Sequence, residues 1–145
     1  MKISTKGRYG LRTLMDIALH QQKGPVTLKE IADRQKISVK YLWQVINPLK
    51  QAGILRVTRG AKGGYILGKH PDKITMHDIV TVLEGPIAII DCLNKENFCE
   101  QIDNCVAHTV WSEVSAAVEN VLLSITFASV LKKYLAVHRE NDFVI

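Results

Sequence analysis

Ile54-Leu55-Arg56-Val57-Thr58-Arg59-Gly60-Ala61-Lys62-Gly63-Gly64-Tyr65-Ile66-Leu67 is the stretch on which the fold turns. Two short apolar runs, Ile54 to Val57 and Tyr65 to Leu67, flank a tip with three glycines and two basic residues. Glycine accepts positive φ and lets the backbone approach a partner closely, so the pattern predicts a β-hairpin with a basic, glycine-rich tip. Such a tip can lie in a narrow minor groove with Arg59 inserted and Gly60 and Lys62 beside it. An ordinary flexible hairpin is the plainer reading. A phosphate-cradling loop of a nucleotide enzyme is disfavoured, since no Lys-Ser/Thr pair opens a helix here.

Upstream, the chain reads as helices. The first is expected over residues 5–22, with Ser4 or Thr5 as cap and Leu11, Leu14, Met15 and Ala18 at helical spacing, ended by Lys23-Gly24-Pro25. Thr27-Leu28-Lys29-Glu30 has the capping-box form and starts a short helix over 28–35. Ser38 is a good N-cap for a third helix through Gln51, whose inward side is Tyr41, Leu42, Val45, Ile46 and Leu49. Two short helices joined by a tight turn, the second entered through a serine, form a helix-turn-helix. Followed at once by the hairpin, they make a winged helix, a far more specific pattern than either part.

Downstream, Thr75-Met76-His77-Asp78 begins another helix that breaks at Gly85-Pro86, with His77 read as a surface residue and not a ligand. From about residue 106 to 124 a long helix carries Val110, Val114, Ala117, Val118, Val121 and Ile125 on one stripe, widened by Trp111 and Leu122. That is more apolar surface than intramolecular packing of a terminal helix requires, which predicts a partner helix and a symmetric homodimer presenting two recognition helices to a palindromic operator in double-stranded DNA. A further helix, capped at Thr126 and running through Leu135, packs back, and residues 138–145 read as a frayed tail. The expected class is mainly α: a winged helix-turn-helix domain over 1–84, a loop over 85–108, and a long C-terminal dimerisation helix with a last helix and tail over 109–145.

All three cysteines fall in the loop. Six residues separate Cys92 from Cys99, five separate Cys99 from Cys105, and His108 follows three positions later. Thiolates select zinc, copper(I) or iron-sulfur clusters, and an imidazole in fourth place suits zinc or a 2Fe-2S centre. If Cys105 starts the long helix, His108 shares its face, while Cys92 and Cys99 sit on a polar loop. The plainer alternative is three unrelated small apolar residues and a surface histidine. A disulfide framework is disfavoured by the odd count and the lack of a secretory segment.

Charge divides the 145 residues in two. Residues 1–73 carry 15 Lys and Arg against 4 Asp and Glu, a net +11, whereas 74–145 carry 4 against 10, a net −6. A basic first half is the footprint expected for phosphate contacts. No run approaches a membrane span and the N-terminus lacks a signal-peptide core, so no membrane partner and a cytoplasmic location are expected. No nucleophile motif marks an enzyme, and no small-molecule substrate is expected.

Several motifs together resemble one family. They are Ser4-Thr5-Lys6-Gly7-Arg8-Tyr9, Ser38-Val39-Lys40-Tyr41-Leu42 followed by Gln44, Arg59-Gly60-Ala61-Lys62-Gly63-Gly64-Tyr65, Leu83-Glu84-Gly85, and Cys105-Val106-Ala107-His108-Thr109-Val110-Trp111. They are similar to the iron-sulfur cluster regulators typified by IscR, which are dimeric winged-helix transcription factors. The resemblance spans nearly the whole chain. It implies a 2Fe-2S cluster on Cys92, Cys99, Cys105 and His108, recognition-helix contacts around Ser38, Lys40, Tyr41 and Gln44, and minor-groove reading by Arg59. Members of the family can carry an acidic residue between the leucine and the glutamine, linked to operator choice; this chain has Trp43, which can pack apolarly in the interface or mark an altered operator. A nitric-oxide-responsive relative holds a 4Fe-4S cluster with an aspartate near the N-terminus, where this chain has Arg8. The expected function is a DNA-binding regulator, acting as a repressor, that senses iron-sulfur or redox status. A structural zinc site, a metal-free thiol switch and a nitric-oxide-responsive 4Fe-4S regulator are the rivals.

Overall fold

The computed structural model describes residues 1–94 and 99–141, with the side chains of 140 and 141 outside the description. Helix α1 (Thr5–His20) is capped by Ser4, whose hydroxyl oxygen accepts from the N–H groups of Lys6 and Gly7. It stops two residues short of the expected end: a 3-10 turn, Gln21–Lys23, tightens the chain before Gly24 turns it away at φ 122°. Helix α2 (Leu28–Gln35) opens with the expected reciprocal cap, Thr27 N–H donating to Glu30 Oε2 at 2.7 Å and Glu30 N–H to Thr27 Oγ1 at 3.3 Å. Lys36, left-handed at φ 55°, makes the tight turn into helix α3 (Val39–Gln51). Helix α3 continues through Pro48, which lacks an N–H to donate, because Leu42, Val45, Ile46 and Leu49 anchor it in full burial.

The hairpin follows as expected, shifted by a residue. Strand β1 (Leu55–Thr58) pairs antiparallel with β2 (Gly64–Leu67), with Thr58 opposite Gly64 and Leu55 opposite Leu67. A third element joins on the other side of β2: Val26 and Tyr65 exchange N–H···O bonds at 2.9 and 2.8 Å. That bridge explains Gly64. A Cβ at this position would sit 2.6 Å from the Val26 carbonyl oxygen, so only glycine lets β2 pass between its two neighbours.

Helix α4 (Met76–Glu84) starts with a second reciprocal cap, Thr75 with Asp78, and ends at Gly85. Helix α5 (Val106–Ser124) leads to helix α6 (Phe127–Asn141), which returns to the first half of the chain. The junction is laced by Met76 N–H to Ile125 O at 2.8 Å and Phe127 N–H to Ile74 O at 2.7 Å. Phe127 then enters the main core, fully buried with Leu14, Ile17, Ile31, Leu42 and Leu49. The tail expected from residue 138 is instead helical to Asn141. Tyr134 and His138 stack with centroids 3.8 Å apart, and the His138 ring nitrogen bonds the Tyr134 carbonyl at 2.9 Å, so one helical turn is held where fraying was expected.

Among the described residues one charged side chain is buried. Asp16 is 2% exposed and receives Arg34 Nε at 3.0 Å, Arg34 Nη2 at 2.7 Å and Gln35 Nε2 at 2.9 Å, which clamps α1 to α2. Burial pushes its carboxyl up, but hydrogen bonds from Arg34 and Gln35 and the charges of Arg34 and His20 more than offset this, leaving it below the ordinary value of 3.8. A depressed carboxyl stabilises the fold in full above its ordinary value and loses that stabilisation as the pH falls through the lower folded value. Asp16→Asn is expected to cost about 2 kcal/mol in urea unfolding at pH 7, with the gap to wild type narrowing as the pH is taken below 3.8. A gap that widens on acidification would contradict the assignment.

Candidate DNA interface and metal centre

Helix α3 divides cleanly into two faces. Leu42, Val45, Ile46 and Leu49 are buried, whereas Lys40, Trp43 and Gln44 are exposed on the other side at helical spacing. Asn47, half-buried, extends this stripe one turn further; the sequence reading passed over it, although its i+3 spacing from Gln44 was available. Ser38 is the N-cap, its Oγ accepting from Tyr41 N–H at 3.2 Å, which leaves the hydroxyl hydrogen free for an outside acceptor. Tyr41 differs from its neighbours in being half-buried, with its ring edge-on to Tyr9. Trp43 is 43% exposed, a large apolar group on an otherwise polar face.

The wing tip brings Arg59, Gly60 and Lys62 into solvent together. Gly60 has φ 115°, and its carbonyl accepts from Gly63 N–H at 3.0 Å, closing the tip. The sequence-derived DNA set therefore comprises two exposed groups, one on α3 and one on the wing, joined by the helix end and β1.

The proposed ligands lie on a second surface. Cys92 sits in a 3-10 turn, Asp91–Leu93, that packs against α5; Cys99 is exposed; Cys105 is half-buried. Cys105 is the N-cap of α5 and not a residue of its first turn: its Sγ accepts from His108 N–H at 3.4 Å. This contact joins the Cys105 sulfur to the backbone of His108, not to its imidazole. The segment before the cysteines is tied to the same helix, Ile89 N–H donating to the buried Ser115 Oγ at 3.2 Å. Among the described residues no group of three or more His, Cys, Asp or Glu side chains is gathered closely enough for a metal ion. Part of the intervening loop, residues 95–98, lies outside the described residues, with Lys95, Glu96 and Asn97 of the polar segment among them. By donor chemistry the set fits a soft centre, since all three thiols are free of disulfides and a half-buried imidazole stands one turn from Cys105.

The rest of α5 is almost entirely in water. Ser115 is its one buried residue, while Val106, Val110, Trp111, Val114, Val121 and Leu123 are each more than a third exposed. A wholly apolar hollow of about 290 Å³ lies along Val114, Ala117, Val118, Val121 and Leu122. Leu122 also lines a second apolar groove that reaches Leu11 on α1 and Ile79 and Leu83 on α4. No helix among the described residues is long and apolar enough to cross a membrane.

A helix-turn-helix, a basic wing and a protruding apolar helix define a winged-helix DNA-binding regulator. The Rrf2 family model, described as an iron-dependent transcriptional regulator, matches residues 3–133, and the chain belongs to that family. It is 44% identical over 126 residues to the transcriptional regulator CymR of Bacillus subtilis, covering 87% of this chain and 86% of that one. The solved structure of that protein, described as a global cysteine regulator, aligns with a TM-score of 0.74 at 40% identity, over 92% of this chain and 98% of the other. IscR of Serratia proteamaculans is 37% identical, covering 90% and 79% of the two chains. The solved IscR of T. potens aligns with a TM-score of 0.73 at 43% identity, over 92% and 88%. The protein is a transcriptional regulator and not an enzyme.

Each phosphate contact made by a cation releases counterions and adds about one to the slope of log affinity against log salt. Arg59→Ala is expected to weaken binding to a duplex selected from a random pool and to lower that slope by about one. An unchanged slope removes Arg59 from the contact set.

Proposed function

We propose that the protein is a homodimeric repressor that binds a palindromic operator and reads iron-sulfur or redox status through a 2Fe-2S cluster on Cys92, Cys99, Cys105 and His108. The observation that carries this reading is the place of Cys105. It caps the helix whose apolar face has no partner among the described residues, so a change at the thiol acts at the root of the pairing helix. When bound, such a cluster supplies one-electron chemistry and sensitivity to oxidants, with its imidazole ligand raising the potential and requiring a neutral histidine. The chain's own parts do the rest. Cys92 lies in the turn that packs on α5 and Cys105 caps that helix, Ser115 fixes the segment entering the loop, and the exposed stripe of α5 pairs two copies. Lys40, Tyr41, Trp43, Gln44 and Ser38 face the major groove or its phosphates, and Arg59, Gly60 and Lys62 face the minor groove. A cytoplasmic location accords with free thiols and a DNA partner.

The likeness to Staphylococcus aureus CymR, a structure of which is of an oxidized form, supports a second reading, in which the same thiols respond to oxidants without a metal. Anaerobic purification followed by a visible spectrum and iron, sulfide and zinc analysis separates the readings. The first predicts visible charge-transfer bands with equal iron and sulfide, lost in Cys92→Ala, Cys99→Ala or Cys105→Ala while the thermal transition of the DNA-binding half persists. A colourless protein would overturn it: stoichiometric zinc would mark a structural staple, and metal-free oxidant crosslinking a thiol switch. Val114→Asp combined with Val121→Asp places two charges on the pairing stripe and is expected to give a monomer by light scattering, with at least tenfold weaker operator binding. A double variant that remains dimeric would move the interface elsewhere.

A further inference from the structure

Tyr41 is the one member of the proposed groove-facing set whose ring is held by another element. Tyr9 of α1 meets it edge-on, with centroids 5.5 Å apart and planes at 89°. The guanidinium of Arg12 lies over the Tyr9 ring, 5.3 Å from its centroid. Arg12 is itself fixed: Nε donates to the Gln35 side-chain oxygen at 3.1 Å and Nη2 to the Gln35 backbone carbonyl at 2.8 Å. Gln35 cannot turn away, because its amide nitrogen donates to the buried Asp16 at 2.9 Å, which leaves its oxygen for Arg12. An unbroken series therefore runs from a buried carboxylate on α1, through the end of α2, to the recognition helix.

The geometry points to Arg12 as a positioning residue for DNA binding, acting through Tyr9 to hold the Tyr41 ring in its bound orientation. This rests on the reading above that Tyr41 faces DNA. The physical reason is entropic. A tyrosine at an interface contributes fully only if its rotamer is already set, and ordering a free one on binding costs roughly three- to tenfold in affinity. Arg12 is exposed, so replacing it leaves the core intact. Its planar fork is what grips Gln35 at two acceptors, and lysine cannot reproduce that grip.

A double-mutant cycle on the full-length protein tests this, using a duplex selected by the wild type from a random pool. Tyr41→Ala alone must weaken binding; unchanged affinity would overturn the placement of Tyr41 on DNA whatever Arg12 does. Arg12→Met is expected to lose roughly three- to tenfold in the wild-type background and less than twofold in the Tyr41→Ala background, with the salt slope unchanged. Arg12→Lys is expected to bind as weakly as Arg12→Met. Equal losses in both backgrounds would reduce Arg12 to a fold contact. A salt slope lower by about one would make it a direct phosphate ligand. Either result, or full binding by Arg12→Lys, overturns the inference while leaving Tyr41 on the DNA.

Discussion

The organising constraint is the exposure of α5. A helix of 19 residues that buries only Ser115 while holding Val110, Trp111, Val114 and Val121 in water has a face built for another surface. The chain fastens this helix along its length and leaves its outer face open. Cys105 caps its start, His77 of α4 meets Glu119 at 3.1 Å along its length, and Phe127 sinks into the core just beyond its end. The long helix is thus attached rigidly to the DNA-binding head at one end and to the cysteine segment at the other. In the proposed reading, a change in the cysteine segment would act on a helix that is followed at once by the core anchor Phe127.

Much of the head was legible because its signals are local. Thr27 with Glu30, Thr75 with Asp78, and Ser38 before an apolar stripe are caps whose partners lie three residues away, and all three formed as read. The wing was legible from its two apolar runs and the glycines between them, although the reason for Gly64 was not: the Val26 bridge comes from residues far upstream. Asp16 was passed over for the same reason. It sits between Met15 and Ile17 in an apolar run, and its partners Arg34 and Gln35 lie 18 and 19 positions on, a spacing that carries no periodic signal. The return of α6 past residue 138 also escaped, since the stacking of Tyr134 on His138 depends on rotamers and not on composition.

For the site, sequence spacing identified which residues carry soft-ligand chemistry but not how they are presented. The helix starts at residue 106 as expected, and Cys105 just before it serves as its cap, so its sulfur accepts a backbone N–H. If the proposed ligation occurs, it draws on the same sulfur that caps α5, so the start of this helix would depend on the state of the thiol. On the proposed DNA side, Trp43 gives the polar face of α3 an exposed apolar member, a group suited to contact with a thymine methyl.

The most direct measurement is operator affinity for iron-sulfur-reconstituted and apo protein, compared anaerobically on one duplex at fixed salt. If the state of the cysteine segment is transmitted along α5 to the two heads, the two forms differ by roughly fivefold or more. Equal affinities across every selected duplex would contradict that transmission and leave α5 as a pairing device alone.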